Sequence, residues 1–190
     1  MNKQGVRFVG YEMWKYRYLF LFTASIILSF FILIDNRTIS IIYQASNWSY
    51  LGAFIAGFFY PYSITAPPVT AIFLVISKTL NPFAMALIGG FGAMLGDVII
   101  FKVIKTELLP EARLLAKDLR IPRIKSNKLL HIVHKIAPFV AGFIIASPLP
   151  DELGAGLFGA IEYNIKKFMV ISFTCHTIGL LAIALLGQVF

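Results

Sequence analysis

Long apolar stretches alternate with short polar interruptions along this chain, and the interruptions set the predicted architecture. Residues 18–34 run without a break and end at Asp35-Asn36-Arg37. Residues 39–60 are apolar and aromatic, but Pro61, Pro67 and Pro68 interrupt the chain before the apolar stretch 69–76. Asn81-Pro82 marks a turn, and residues 83–104 are again long enough to cross a bilayer, which takes about 20 residues. A polar middle leads to residues 138–146, a break at Ser147-Pro148-Leu149-Pro150-Asp151-Glu152, and residues 153–161. Glu162, Asn164, Lys166 and Lys167 form a polar stop before the last apolar run, 168–190. This pattern predicts an all-α polytopic membrane protein in a single domain. Its parts are an N-terminal segment 1–17, a first transmembrane helix 18–34, a unit 38–104, a basic segment 105–135 and a second unit 136–190.

Composition agrees. Of 190 residues 58% are hydrophobic and 14% charged, where a soluble domain carries about a quarter charged residues. The polar, basic start and the absence of a small-residue cleavage site after residue 34 read as a retained anchor rather than a cleaved leader. Cys175 is the single cysteine, so no intrachain disulfide forms.

The net charge is +8, and its distribution matters more than its size. Fifteen of the seventeen Lys and Arg fall in three places: Lys3 to Arg17, Lys102 to Lys135, and Lys166-Lys167. Cytoplasmic segments hold the excess Lys and Arg of membrane proteins, so these three places are expected on the cytoplasmic side and the C-terminus outside, in a cell membrane. No nucleic-acid partner is expected, because no aromatic-basic platform accompanies the charge. Leu108, Leu109, Leu114, Leu115 and Leu119 recur at helical spacing among basic residues. This fits either an amphipathic helix in the headgroup layer or a cytoplasmic helical hairpin.

Parity then constrains the broken stretches. Residues 138–161 begin and end on the cytoplasmic side, so they are expected to dip into the bilayer and return as a re-entrant hairpin. Irregular backbone at that depth needs protein or water around it. The stretch broken by Pro61, Pro67 and Pro68 does the same from the other side. Phe54-Ile55-Ala56-Gly57-Phe58 also matches Phe139-Val140-Ala141-Gly142-Phe143 at an offset of 85, which places Phe73 on Phe158. Two such units of opposite orientation make an inverted repeat, the plan of many transporters with sites at broken helices; chance likeness of two apolar segments is the bland alternative.

Four residues are singled out for transport or proton relay: Asp97, Asp151, Glu152 and His176. Ionisable groups at membrane depth are costly and mark cavities, ion paths or relays. Asp151 and Glu152 also suit capping of a half-helix N-terminus. Asp97 lies five residues before Lys102, which places it toward the inner interface. Small residues around it, including Gly92 and Gly96, suit close helix packing. His176 fits a proton path or a hydrogen-bonded packing role. His131 and His134 stand three apart without further ligands, so no metal site is expected. No nucleophile elbow, phosphate loop or dinucleotide motif appears, so neither enzyme chemistry nor a cofactor is expected.

Gly92-x-x-x-Gly96-Asp97-x-x-x-Phe101, the Phe-x-Ala-Gly-Phe repeats and the Pro-Leu-Pro-Asp-Glu break resemble motifs of the DedA-like family, also called SNARE-associated or VTT-domain proteins. The similarity covers roughly residues 50–187. It implies paired re-entrant hairpins and flippase- or scramblase-like movement of phospholipids or polyprenyl phosphates between leaflets, with Asp97 as the motif aspartate. Membrane lipids, anionic ones among them, are then the expected partners, and oligomer formation stays open. Two other roles are a small-molecule or drug exporter of the same plan and a non-transporting scaffold that organises the membrane. The chain departs from the family pattern at residues 60–68, which carry no carboxylate, and at the second break, which carries no arginine.

The charge distribution makes a direct prediction. With Cys175→Ala as background, Asn2→Cys and Arg120→Cys are expected to resist a membrane-impermeant thiol reagent on intact cells, and Phe190→Cys to react. Labelling at position 120 from outside refutes the orientation.

Overall fold

A computed structural model describes residues 17–44, 49–111, 127–146 and 151–189. The elements among them are helices: α1 (Arg17–Ile34), α2 (Asn36–Gln44), α3 (Ser49–Phe59), α4 (Ala66–Ile76), α5 (Pro82–Val103), α6 (Asn127–Ala146), α7 (Asp151–Ala160) and α8 (Ile165–Val189). One π-helical turn, Ile104–Leu108, continues α5. Among the described residues, three helices are long and apolar enough to cross a membrane: Arg17–Ile34, the run Pro82–Glu111, and Ile165–Val189. They begin and end close to the three uninterrupted stretches of the sequence.

Several boundaries differ from the sequence reading for local reasons. The turn after α1 is tighter than Asp35-Asn36-Arg37, because Asp35 alone separates two helices. Its carboxylate accepts from the backbone N–H and the hydroxyl of Thr38 at 2.9 and 2.6 Å. These bonds, the hydroxyl's first, hold the Asp35 carboxyl below its ordinary value. The apolar stretch 39–60 divides into α2 and α3. Pro67 and Pro68 lie in the first turn of α4 rather than in the break, where a missing N–H costs nothing. Helix α6 starts at Asn127 and continues through Lys135 and Pro138 to Ala146. The proposed amphipathic stretch 112–126 and the second break, with Pro148 and Pro150, lie outside the described residues.

The two long helices α5 and α8 each begin on an asparagine cap. Asn81 accepts from the N–H groups of Phe83 and Ala84 at 3.0 and 3.2 Å. Asn164 accepts from those of Lys166 and Lys167 at 3.0 and 3.3 Å. The polar stop before α8 also ends α7: Glu162 adopts φ 53, and Glu162 and Tyr163 donate back to Gly159 and Phe158 at 3.0 Å each. That is a Schellman closure, with the Tyr163 ring 5.0 Å from that of Phe158.

Helix α5 is the centre of the packing, with α8 and α3 against it most extensively. Lipid offers apolar side chains no less than protein does, so helices in a bilayer associate through close contact between small residues. A Cβ on Gly57 would strike the Gly89 backbone, one on Gly92 the Phe54 carbonyl, and one on Gly96 the Phe58 carbonyl. On the opposite side, Gly90 faces Thr177 and Gly89 faces Leu180 of α8. Helix α4 packs on α1 and α8, and α7 packs on α6 and α5. Two buried clusters result, one around Phe73, Met85 and Leu180 and the other around Phe101, Phe158 and Phe168. The α6 side is looser: a Cβ on Gly142 would meet only an Ile171 methyl, at 3.6 Å. Most of α1 is exposed and apolar, with Phe20 at 72% and Ile34 at 75%, a surface suited to hydrocarbon.

Gly92→Ala is therefore expected to lower thermal stability in detergent by about 1–3 kcal/mol, through overpacking against Phe54. A Cβ on Gly179 would meet nothing within 4 Å, so Gly179→Ala is expected to be neutral or to gain up to about 1 kcal/mol from helix propensity. Equal behaviour of the two variants counts against the close α3–α5 contact.

Candidate functional site

Asp97 stands near the middle of the helical run Pro82–Glu111, not near its end, and its side chain is completely buried. Ser172 Oγ donates to Asp97 Oδ2 at 2.7 Å, and His176 Nε2 lies 2.9 Å from the same oxygen. Ser172 and His176 are one helical turn apart, so a single face of α8 presents both. Helices α5 and α8 run antiparallel, since Asp97 meets Ser172 while Gly90 meets Thr177 and Gly89 meets Leu180. Asp97 Oδ1 and Thr177 Oγ1 are buried without a hydrogen-bond partner among the described residues.

The chain between α3 and α4 closes over this pair. Pro61 has no N–H, so α3 cannot continue past it. Tyr60 donates to the Gly57 carbonyl at 2.9 Å and Tyr62 to that of Phe59 at 3.4 Å. Thr65 Oγ1 bonds the Phe59 carbonyl at 2.5 Å and its N–H bonds that of Tyr62 at 2.9 Å, completing the turn. Pro61 is fully buried, and its ring lies over the face of α5 at Gly96. The Tyr60 ring stands edge-on to His176 with centroids 5.7 Å apart.

The same turn reaches the start of α7. Ser63 donates its backbone N–H to Glu152 Oε1 at 2.7 Å and its hydroxyl to Oε2 at 2.5 Å. Both oxygens of the carboxylate are thus held by one residue of the first broken stretch. Of the residues singled out in the sequence, Asp97 and His176 come into direct contact, Glu152 joins them through the turn, and Gly92 and Gly96 serve the α3–α5 contact. Asp151 is the first residue of α7; its side chain and those of His131 and His134 lie outside the described residues.

Sequence reasoning missed Ser63, Tyr60, Tyr62 and Ser172. A usable signal was present for Ser172, which stands four residues before His176 in an apolar helix. For Ser63 the hint was weaker, a hydroxyl-rich Tyr-Pro-Tyr-Ser-Ile-Thr within an apolar hairpin. In comparisons with family models, curated proteins and solved structures, nothing matches this chain.

The two carboxylates are expected to respond differently to substitution. Ser172→Ala removes a hydrogen bond to a buried carboxylate and is expected to cost about 1.5–3 kcal/mol. Glu152→Ala strands the Ser63 N–H and is expected to cost about 1–3 kcal/mol. Glu152→Gln keeps both contacts, its amide oxygen accepting from the N–H and its NH2 donating to Oγ, and is expected to cost under about 1 kcal/mol. Thermal unfolding of the full chain in detergent checks all three; a Glu152→Gln loss as large as that of Glu152→Ala overturns the bidentate contact.

Proposed function

We propose that this chain is a membrane transporter of the DedA type that moves a lipid or lipid-linked phosphate between leaflets, built as an inverted repeat with two re-entrant hairpins. The observation that carries the reading is the contact between Ser63 and Glu152, which ties the two broken stretches together beside the buried Asp97–His176 pair. Transporters place their sites where interrupted half-helices meet near the bilayer midplane.

Element bounds and packing support the repeat. The 85-residue offset carries α4 onto 151–161, where α7 spans Asp151–Ala160, and α5 onto 167–188, inside Ile165–Val189. Helices α4 and α7 each pack against the long helix of the other unit. The contact of α5 with α8 is antiparallel, as two units of opposite orientation require. Phe73 and Phe158, also related by it, are both fully buried. Helices α3 and α4 have 11 residues each, roughly 16 Å at 1.5 Å per residue. That is about half of a hydrocarbon core near 30 Å, so the pair enters and returns.

Glu152 is the switch in this reading. Hydrogen bonds to an ionised acceptor are roughly twice as strong as neutral ones, so protonation loosens the tie between the hairpins without removing it. One observation favours the exporter reading as the second choice: no Lys or Arg forms an ion pair with Asp97 or Glu152 among the described residues, which leaves phosphate without its usual partner.

The test is leaflet exchange of fluorescent lipids by the purified protein in liposomes at pH 6 and pH 8. Glu152→Gln is expected to keep its melting temperature while the exchange rate falls at least about tenfold and loses its pH dependence, since the charge-assisted tie is gone. Asp97→Asn is expected to slow exchange at both pH values. Wild-type rates in both variants at both pH values sink the proposal.

A further inference from the structure

Asp97 has one oxygen fully engaged and one with nothing. Ser172 and His176 both address Oδ2, while Oδ1 is sealed from solvent and bare among the described residues. A carboxylate oxygen buried without a partner is costly. Protonation removes only part of the difficulty: a proton on Oδ2 can donate to His176 Nε2, but Oδ1 stays a buried acceptor without a donor. A bound group that presents positive charge or a donor to Oδ1 does remove it.

The surroundings select the charge and size of that group. Asp97 and Glu152 place two carboxylates beside one turn, and the His176 imidazole is the one basic side chain in contact with either among the described residues. The site is therefore short of positive charge. The end of α3 lies against α5 at Gly96, the residue before Asp97, and the negative end of a helix dipole favours a cation. Pro61, having no N–H, cannot serve the Phe58 carbonyl; Tyr62 bonds Phe59 instead. The Phe58 oxygen comes to rest against Gly96, the residue before Asp97. Unwound carbonyls with an acidic side chain are the donor set of alkali-ion sites in transporters with broken helices. No three of His, Cys, Asp and Glu gather among the described residues, which disfavours a transition metal. Complete burial of Oδ1 excludes a bulky ammonium headgroup.

We propose that Asp97 Oδ1, where α5 passes the break after α3, is a ligand of a small monovalent cation, an alkali ion of sodium or potassium size. The ion's role as the coupling ion rests on the transporter reading; its binding does not, and the two fail separately.

The experiment is thermal unfolding of the purified full chain in detergent at fixed pH and ionic strength. LiCl, NaCl and KCl are titrated against N-methyl-D-glucamine chloride, whose cation is too large for the site. A saturable rise of roughly 5 °C or more is expected with one alkali ion in preference to the others, as for any ligand that binds only the folded state. Gly179→Ala, away from the site, is expected to keep this response, and Asp97→Asn to lose it. Equal melting in all four salts overturns the proposal, because the bare oxygen then holds water or a proton alone. A wild-type response in Asp97→Asn overturns it as well. Should Asp97→Asn not fold, Asp97→Glu, which keeps the charge one methylene further out, is expected to shift the half-saturating concentration at least about tenfold. An unchanged value overturns the assignment to Asp97. Alkali-dependent melting with no alkali dependence of lipid exchange leaves the site standing and removes its coupling role.

Discussion

A carboxylate enclosed between two membrane-length helices has to be held in place by its neighbours, and the arrangement around Asp97 follows from that need. The desolvation of an ion costs several kcal/mol in a protein interior, and hydrogen bonds to charged groups return about 1.5–3 kcal/mol each. Two such bonds from Ser172 and His176 offset much of the cost only if α8 lies against α5 in one register. The same register brings Gly90 to Thr177 and Gly89 to Leu180. Small residues at 89, 90, 92 and 96 are what allow α8 on one side and α3 on the other to approach so closely. Electrostatics and packing thus select the same alignment.

The second tie has a different character. Ser63 grips Glu152 with a backbone and a side-chain donor, so a turn formed because Pro61 ends α3 becomes an anchor for the start of α7. Both ties pass through the six residues between α3 and α4. The Tyr60 ring touches His176 and the Ser63 backbone reaches Glu152, so a displacement of either is felt at the other.

Much of this was legible in the chain and some was not. The membrane-length helices were, because continuous apolar runs bounded by charge suit little besides a bilayer. The interruption near Pro61 was also visible, since proline ends a helix for a local reason, while the break before Asp151 lies outside the described residues. Pro138 suggests a helix start in the sequence, yet α6 begins at Asn127 and runs through it. Lys102 does not end the helix that carries Asp97, which continues to Glu111. The pairing of Asp97 with His176 was not legible at all. Each residue stands out alone, and 79 positions separate them; only the antiparallel register joins them. Ser63 escapes for the opposite reason, being an ordinary turn residue whose partner lies 89 positions away.

One difference between the two halves has a mechanical meaning. On the α3 side, backbone rests on backbone at Gly57, Gly92 and Gly96, and nothing there can yield without separating the helices. On the α6 side Gly142 has only a methyl of Ile171 nearby. Side chains can rotate out of the way, whereas main chain cannot. The α3–α5 seam is therefore rigid at these positions, whereas α6 meets α8 at Gly142 through a side chain alone, and the start of α7 is held where Ser63 grips Glu152.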